Sequence, residues 1–177
     1  MSRSGLATNY VLVFVAFVLA GCATVPIAKD GDALTATQGL LAFRTTSNVE
    51  GFLRYIDYSN TTTFGSRLSE DVFGSKGVVR LEIGDKYYLV PFEAGEYMWS
   101  RLDVYPKFAP LQTTNRFRVR ANAITYIGNI QLNSRATEFS LTAVDREDDM
   151  LRYLAGFYPA YFSKYVVHKE IAEMRLR

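Results

Sequence analysis

The chain has 177 residues with one cysteine, one histidine, and 20 basic against 18 acidic side chains. This near balance argues against a nucleic-acid partner, because nucleic-acid-binding domains carry a clear excess of positive charge. A single cysteine excludes a disulfide within the chain, and a single histidine excludes a multi-histidine zinc site. Composition therefore predicts one domain that is stabilised by its hydrophobic core, with no metal and no cofactor.

The first 21 residues have the organisation of a secretory signal peptide. A short basic start at Arg3 precedes an apolar run from Tyr10 to Leu19, and small residues follow. The apolar cores of signal peptides span roughly 7–15 residues, whereas a membrane-spanning helix needs about 20. The length of this run therefore favours a signal peptide over residues 1–21 rather than a transmembrane helix.

The end of this segment, Leu19-Ala20-Gly21, is followed directly by Cys22. The arrangement resembles the lipobox of bacterial lipoproteins, and the resemblance implies cleavage before Cys22 and lipidation of its sulfur. Such proteins typically carry several acyl chains, which together make a durable membrane anchor. Ala23 is not the aspartate that usually retains lipoproteins in the inner membrane. The resemblance thus implies a lipid-anchored protein on the periplasmic face of a Gram-negative outer membrane.

Residues 22–37 lack periodicity and contain proline, glycine and small side chains. This composition predicts a tether between the lipid and the domain. Within it, Asp30-Gly31-Asp32 is interpreted as a turn rather than as half of a metal site.

Residues 38–144 are dominated by strand patterns, in which apolar and polar side chains alternate with period two. The candidate strands are residues 39–46, 51–58, 79–83, 86–92, 96–105, 116–121, 124–132 and 139–143. Gly84-Asp85 separates two of them and predicts a hairpin there. In the segment 124–132, the alternate residues from Ile124 to Leu132 are predicted to face inward together. Seven to nine short strands with frequent turns predict a mainly β domain, built as an antiparallel β-sandwich.

Two motifs in this region resemble those of carboxypeptidase-regulatory-like and transthyretin-like sandwiches. Residues 92–97 resemble the turn signature P-G-x-Y, with Ala94 in place of the usual proline. Residues 117–128 resemble the hairpin F-x-V-x-A-G … Y-I-G, with Asn122 in place of the usual glycine. Asparagine is the non-glycine residue that best tolerates a positive φ. The resemblance implies a transthyretin-like (prealbumin-like) fold over residues 38–144 and supplies no catalytic residues.

Residues 145–177 change to helical spacing. Asp145 stands where an N-cap is expected, and acidic residues at 147–149 suit the positive end of a helix dipole. Apolar residues then recur at helical spacing over 150–157 and again over 167–174, with Pro159 ending the first run. One or two C-terminal helices that pack on the sandwich are therefore predicted.

No set of residues for catalysis is complete in the sequence. His168 is the sole histidine, and no G-x-S-x-G motif is present to position a nucleophile. Glu93 and Glu96 bracket a turn and are an alternative acid pair for glycoside hydrolysis. The acids near Asp145 lack the interleaved pattern of a calcium loop, and helix capping explains them. The protein is predicted not to be an enzyme, with a carboxylate-dependent hydrolase as a less favoured alternative.

Arg116, Arg118 and Arg120, the arginine stripe, are the predicted ligand or partner contact. Alternation along a strand places them on one face, about 7 Å apart. Guanidinium groups bind phosphates and carboxylates, as found in lipopolysaccharide, lipid headgroups and peptidoglycan. The alternative is a solvated face that pairs with neighbouring acids such as Glu138. A cluster of aromatic residues is a further candidate platform: Tyr87, Tyr88, Tyr97, Trp99 and Tyr105.

Together these features predict a non-catalytic interaction or scaffold module of the cell envelope that is held at the membrane through Cys22. The alternative prediction is a binding domain for an anionic or glycan ligand such as lipopolysaccharide or peptidoglycan.

Overall fold

A computed structural model describes residues 27–57, 76–111, 116–135 and 138–171, together with Met174 and Leu176. The predicted signal peptide and Cys22 lie outside the described residues. The elements are β1 (Gln38–Ser47), β2 (Gly51–Asp57), β3 (Gly77–Leu81), β4 (Gly84–Glu93), β5 (Gly95–Val104), β6 (Lys107–Pro110), β7 (Arg116–Val119), β8 (Ile124–Arg135), β9 (Glu138–Val144), α1 (Glu147–Phe157), α2 (Pro159–Lys164) and β10 (Val167–Lys169). The described chain is therefore mainly β with two short C-terminal helices, as predicted.

The strands form two five-stranded sheets. In the outer sheet the order is β3-β2-β5-β6, and β7 pairs with β5 on the same edge as β6. In the central sheet the order is β10-β8-β1-β4, and β9 pairs with β8 on the same edge as β10. All pairs are antiparallel except β1 with β8 and β10 with β8. The sheets are thus mainly antiparallel, and their facing side chains give the domain the character of a sandwich.

The main hydrophobic core lies between the two sheets. The central sheet contributes Leu41, Phe43, Ile127, Ile130 and Leu132, and the outer sheet contributes Leu53, Tyr55, Trp99, Leu102 and Phe117. The predicted alternation of β7 is confirmed, because Phe117 and Val119 are buried while Arg116 and Arg118 are exposed.

A second core covers the other face of the central sheet. Leu40, Ala42, Leu89, Ile124 and Tyr126 of that sheet pack against Met150, Leu154, Tyr161 and Tyr165 of the C-terminal segment. The helices and residues 27–34 therefore form a third layer, the helix layer, and the central sheet is buried on both faces.

The hairpins predicted at Gly84-Asp85 and within residues 117–128 are both wrong, because the two strands that flank each turn join different sheets. β3 pairs with β2 in the outer sheet, while β4 pairs with β1 in the central sheet. In the same way β7 pairs with β5, while β8 pairs with β1. The turn residues carry the chain from one sheet to the other, with Gly84 at φ +92° and Asn122 at φ +52°. Alternation shows that a strand has one buried face, but it does not say which sheet the strand joins.

The predicted inward face of β8 is divided at Gly128. Ile124 and Tyr126 face the helix layer, whereas Ile127 and Ile130 face the outer sheet. The reason is a β-bulge, because Ala42 and Arg44 of β1 lie opposite Tyr126 and Asn129. One extra residue in β8 reverses which side chains face each layer.

The second predicted helical stretch is also different. Residues 167–169 form β10, which pairs in parallel with residues 124–126 of β8. On this edge β9 pairs only with residues 129–135 of β8. The backbone N–H and C=O groups of residues 124–126 therefore form their hydrogen bonds with β10. Pro159 ends the first helical run as predicted, and it also begins α2, where its missing N–H is not needed.

The predicted tether, residues 22–37, is described from Ile27 onward, and this part belongs to the folded domain. Ala28 is buried, and its N–H donates to the carbonyl oxygen of Leu89 at 2.8 Å. The Asp30 carboxylate accepts two backbone N–H groups from the first turn of α2 at 3.2 Å each. Asp30 and Gly31 form a turn as predicted, with Gly31 at φ +84°.

Candidate functional site

The arginine stripe begins on the solvent face of the outer sheet. Arg116 and Arg118 lie on β7 and point away from the core. Arg120 follows the end of β7, and its Nη2 lies 3.2 Å from Oε1 of Glu170. Arg120 therefore connects the region after β7 to the C-terminal segment that follows β10.

Arg118 is paired with an acid, although not with the one that the sequence suggested. It lies directly opposite Glu96 on β5, and its Nε donates to Oε1 of Glu96 at 3.0 Å. This hydrogen bond raises the pKa of Arg118. Glu138 instead lies opposite Arg135 in the β8–β9 pair. Much of the positive charge of the stripe is therefore offset by neighbouring carboxylates.

A second pair of arginines, which the sequence did not single out, lies on the same solvent face. Nε of Arg54 and Nε of Arg101 lie 2.5 Å and 2.6 Å from the two carboxylate oxygens of Asp103. All three side chains are half-buried. One carboxylate therefore holds two guanidinium groups side by side on this face.

Exposed aromatic rings flank this cluster. Phe52 and Phe108 lie on either side of Asp103 in one cross-strand row and are 43% and 71% exposed. The Arg101 guanidinium lies 5.5 Å from the centre of the Phe108 ring, within the range of a cation–π contact. We call Phe52, Arg54, Arg101, Asp103 and Phe108 the arginine–aromatic face.

A bulge in β5 explains why Arg101 reaches the solvent. Trp99 lies opposite Tyr55 and Arg101 lies opposite Arg54, so Ser100 is an extra residue in β5. Trp99 faces the core, and strict alternation would have placed Arg101 in the core with it. The bulge turns Arg101 outward instead. The sequence signal was a charged pair, Arg101 and Asp103, at positions that simple alternation assigns to the interior.

The predicted aromatic platform does not form a single surface. Tyr97 and Trp99 are buried in the main core, and Tyr87 and Tyr88 are half-buried on β4. Tyr105 is 97% exposed in the turn between β5 and β6. Core packing therefore accounts for Tyr97 and Trp99.

The two acids of the candidate pair, Glu93 and Glu96, bind different partners. The side-chain amide of Gln38 donates to Glu93 at 3.1 Å, while Glu96 pairs with Arg118. Burial raises the pKa of Tyr97, whose hydroxyl donates to the backbone oxygen of Glu93, to about 12. This arrangement orders the turn between β4 and β5.

The acidic residues near Asp145 hold the C-terminal strand. Lys169 of β10 donates to Asp145 and lies 3.0 Å from Glu147, and its hydrogen bond lowers the pKa of Asp145. The predicted N-cap is wrong by one residue, because Arg146 is the N-cap of α1 and makes no side-chain capping hydrogen bond. Asp145 precedes it, and its carboxylate accepts the backbone N–H of Glu147 at 3.2 Å. His168 is half-buried in β10. Among the described residues, no group of three histidine, cysteine or acidic side chains is placed to hold a metal ion.

Comparisons with protein-family models, curated proteins and solved structures find no match for this chain. Within the described parts of the chain, no helix has the length and apolar character that crossing a membrane requires. What the protein does must therefore be inferred from its own residues.

Proposed function

We propose that the protein is a lipoprotein of the cell envelope that acts as a non-catalytic interaction module. The observation that carries this proposal is the lipobox-like sequence ending at Cys22, which four residues separate from Ile27, the first residue that the structure describes. A lipid on Cys22 would hold the domain at a membrane, on the periplasmic face of the outer membrane in the reading that the lipobox implies.

The surface we propose for partner binding is the arginine–aromatic face. Aromatic and arginine side chains are enriched where proteins bind partners, and arginine forms paired hydrogen bonds with carboxylates and phosphates. Because Nε of Arg54 and Nε of Arg101 both bind Asp103, the two guanidinium groups are held in place beside the exposed rings, and an anionic group of a partner complements them. Phe52 and Phe108 supply apolar contact beside it.

A binding domain for an anionic envelope ligand is the second candidate function. The number of guanidinium groups on one face of the outer sheet favours it, since Arg116 and Arg118 lie on the same face as Arg54 and Arg101. Lipopolysaccharide and peptidoglycan both present phosphates or carboxylates that guanidinium groups bind.

For the fold, we propose a distant relationship to transthyretin-like sandwiches. Two facing sheets and the turn at residues 92–97 between β4 and β5 support it. The segment 117–128 departs from the family motif, because its two strands belong to different sheets.

Replacement of Cys22 by serine tests the anchor. Wild-type protein should sediment with envelopes and show an acylated amino terminus by mass spectrometry, while Cys22→Ser should remain in the supernatant. Sedimentation of Cys22→Ser with envelopes, or an unmodified Cys22 in the wild type, would refute the proposal.

A pair of matched variants tests the binding face in the unlipidated Cys22→Ser protein. Arg101→Ser with Phe108→Ser should reduce retention on immobilised lipopolysaccharide or peptidoglycan. Arg135→Ser with Ile83→Ser removes an exposed arginine and an exposed apolar side chain from outside both proposed surfaces and should leave retention unchanged. Replacing Arg116, Arg118 and Arg120 by serine measures the contribution of the stripe. Equal retention by all these variants would reject the anionic-ligand function.

A further inference from the structure

The described chain enters the domain beside the helices. Ala28 is buried between the helix layer and the central sheet, and its N–H binds the carbonyl oxygen of Leu89 on β4. Asp30 then holds the first turn of α2. Ile27, the first residue that the structure describes, therefore lies at the β4 edge of the helix layer.

The chain between Cys22 and this point is short. Four residues separate Cys22 from Ile27. An extended chain spans at most about 3.3–3.6 Å per residue, so the five steps between these residues cover no more than about 18 Å. In any conformation of those residues, an acylated Cys22 keeps the β4 edge of the helix layer close to the bilayer.

Exposed apolar side chains gather at the same edge. Phe157 is 63% exposed, and its ring lies 4.8 Å from that of Tyr153. Tyr153 stacks on Tyr87 of β4 at 3.9 Å, and Tyr87 is two residues from the carbonyl that binds Ala28. Ile27 is itself more than half exposed. We call Ile27, Tyr153 and Phe157 the helix-edge patch.

The helix layer carries charged side chains of both signs. Lys29, Arg152 and Lys164 are exposed and form no ion pair among the described residues. Its acidic residues are Asp30 and Asp32, which flank Lys29, and the three acids in the first turn of α1, while α2 contains none. Aromatic rings together with basic side chains are typical of protein surfaces that lie at the interface of an anionic membrane.

We infer that the helix-edge patch lies against the headgroup region of the bilayer, where the neighbouring Lys29 and Arg152 contact lipid phosphates. This inference rests on the proposed lipid anchor. The anchor keeps the patch beside the membrane, so that a contact too small to bind durably alone can persist. The arginine–aromatic face lies on the far side of the domain, so this orientation presents it to the periplasm.

Two single labels on the full-length lipidated protein test the orientation, since Cys22 is the sole natural cysteine and is acylated. One label is placed at Gly156→Cys, where a Cβ atom meets nothing within 4 Å. The other is placed at Phe108→Cys on the outer sheet. In vesicles of phosphatidylethanolamine and phosphatidylglycerol, energy transfer to a headgroup dye should be at least about twofold greater from residue 156, because three layers roughly 10 Å thick separate the labels. Equal transfer, or greater transfer from residue 108, would overturn the inference.

A matched pair of substitutions tests the patch itself. Tyr153→Ser with Phe157→Ser should lower the transfer from residue 156, while Phe52→Ser on the opposite layer should not change it. An unchanged signal in the first variant would exclude the patch as the contact. These vesicles contain no other protein, so a patch that serves a protein partner would show no such loss. Failure of the wild type to sediment with the vesicles would instead refute the lipid anchor, and this inference with it.

Discussion

The two sheets bury their side chains in different ways. In β1 of the central sheet, four consecutive residues, 40–43, are almost fully buried, because alternate side chains face the outer sheet and the helix layer. In β2 of the outer sheet, Leu53 is buried while its neighbour Phe52 is 43% exposed. The difference at these positions comes from the helix layer, which covers Leu40 and Ala42 of the central sheet, whereas Phe52 of the outer sheet meets solvent.

This contrast shows what hydrophobic alternation records. Period-two alternation appears where a strand separates water from a core, and it disappears where both faces are covered. The unbroken apolar run Leu40-Leu41-Ala42-Phe43 is therefore the sign, in the sequence, of a layer on each side of β1.

The largest expected effect tests that contrast directly. Leu40→Ala, which faces the helices, should lower the free energy of unfolding by about 2–5 kcal/mol, as should Leu41→Ala, which faces the outer sheet. Phe52→Ala on the solvent face should cost less than about 1 kcal/mol. Urea unfolding of the unlipidated protein measures all three. If Leu40→Ala were as mild as Phe52→Ala, the helix layer would not be packed stably on the central sheet.

The bulge in β8 gives the next largest expected effect. Gly128 has φ +99°, and an added Cβ would lie 3.2 Å from the backbone oxygen of Val144. Gly128→Ala should therefore lower the free energy of unfolding by about 1–3 kcal/mol. The control is Gly156→Ala in α1, where space is free and the exchange should stabilise by up to about 1 kcal/mol. Equal effects at the two glycines would mean that the bulge does not constrain the chain.

The sequence predicted the number and type of elements better than their partners. The predicted strands at residues 39–46, 51–58 and 96–105 agree with β1, β2 and β5. Their bounds were predictable because the apolar residues that are buried in each strand are close together in the sequence. The pairing of β3 with β2, rather than with β4, depends on contacts between distant parts of the chain, which local alternation does not encode.

The candidate site was predictable in part. The exposure of Arg116 and Arg118 followed from alternation with buried Phe117 and Val119. The exposure of Arg101 did not follow from alternation, because it depends on the bulge at Ser100. A bulge changes which face of the sheet the later side chains occupy, and the residue types alone do not reveal it. Cys22 stays a prediction, since it lies outside the described residues.

A smaller effect is expected where the amino-terminal segment meets α2. Asp30 caps α2 from a position 130 residues earlier in the chain. Asp30→Ala should lower the free energy of unfolding by about 1 kcal/mol, because two N–H groups lose their acceptor. Asp32→Ala is the matched control, since Asp32 contacts Tyr161 through its backbone oxygen, which the substitution retains. A loss in Asp32→Ala as large as that in Asp30→Ala would contradict the capping role.

The smallest expected effect is confined to the edge of the central sheet, where Lys169 ties β10 to the start of α1. The hydrogen bond from Lys169 keeps the pKa of Asp145 below its ordinary value of 3.8. A carboxylate with a depressed pKa stabilises the fold fully above its unfolded pKa, and the stabilisation is lost as the pH falls through the folded value. Hydrogen-exchange protection of the Glu170 amide, which binds the Tyr126 carbonyl, should therefore stay constant down to about pH 5 and decline below about pH 4. Asp145→Asn should show the reduced protection throughout that range, with the amide of Leu40 as an internal reference. Protection that is independent of both the pH and the substitution would mean that backbone pairing alone holds β10, and that the ion pairs at Lys169 add nothing to this edge.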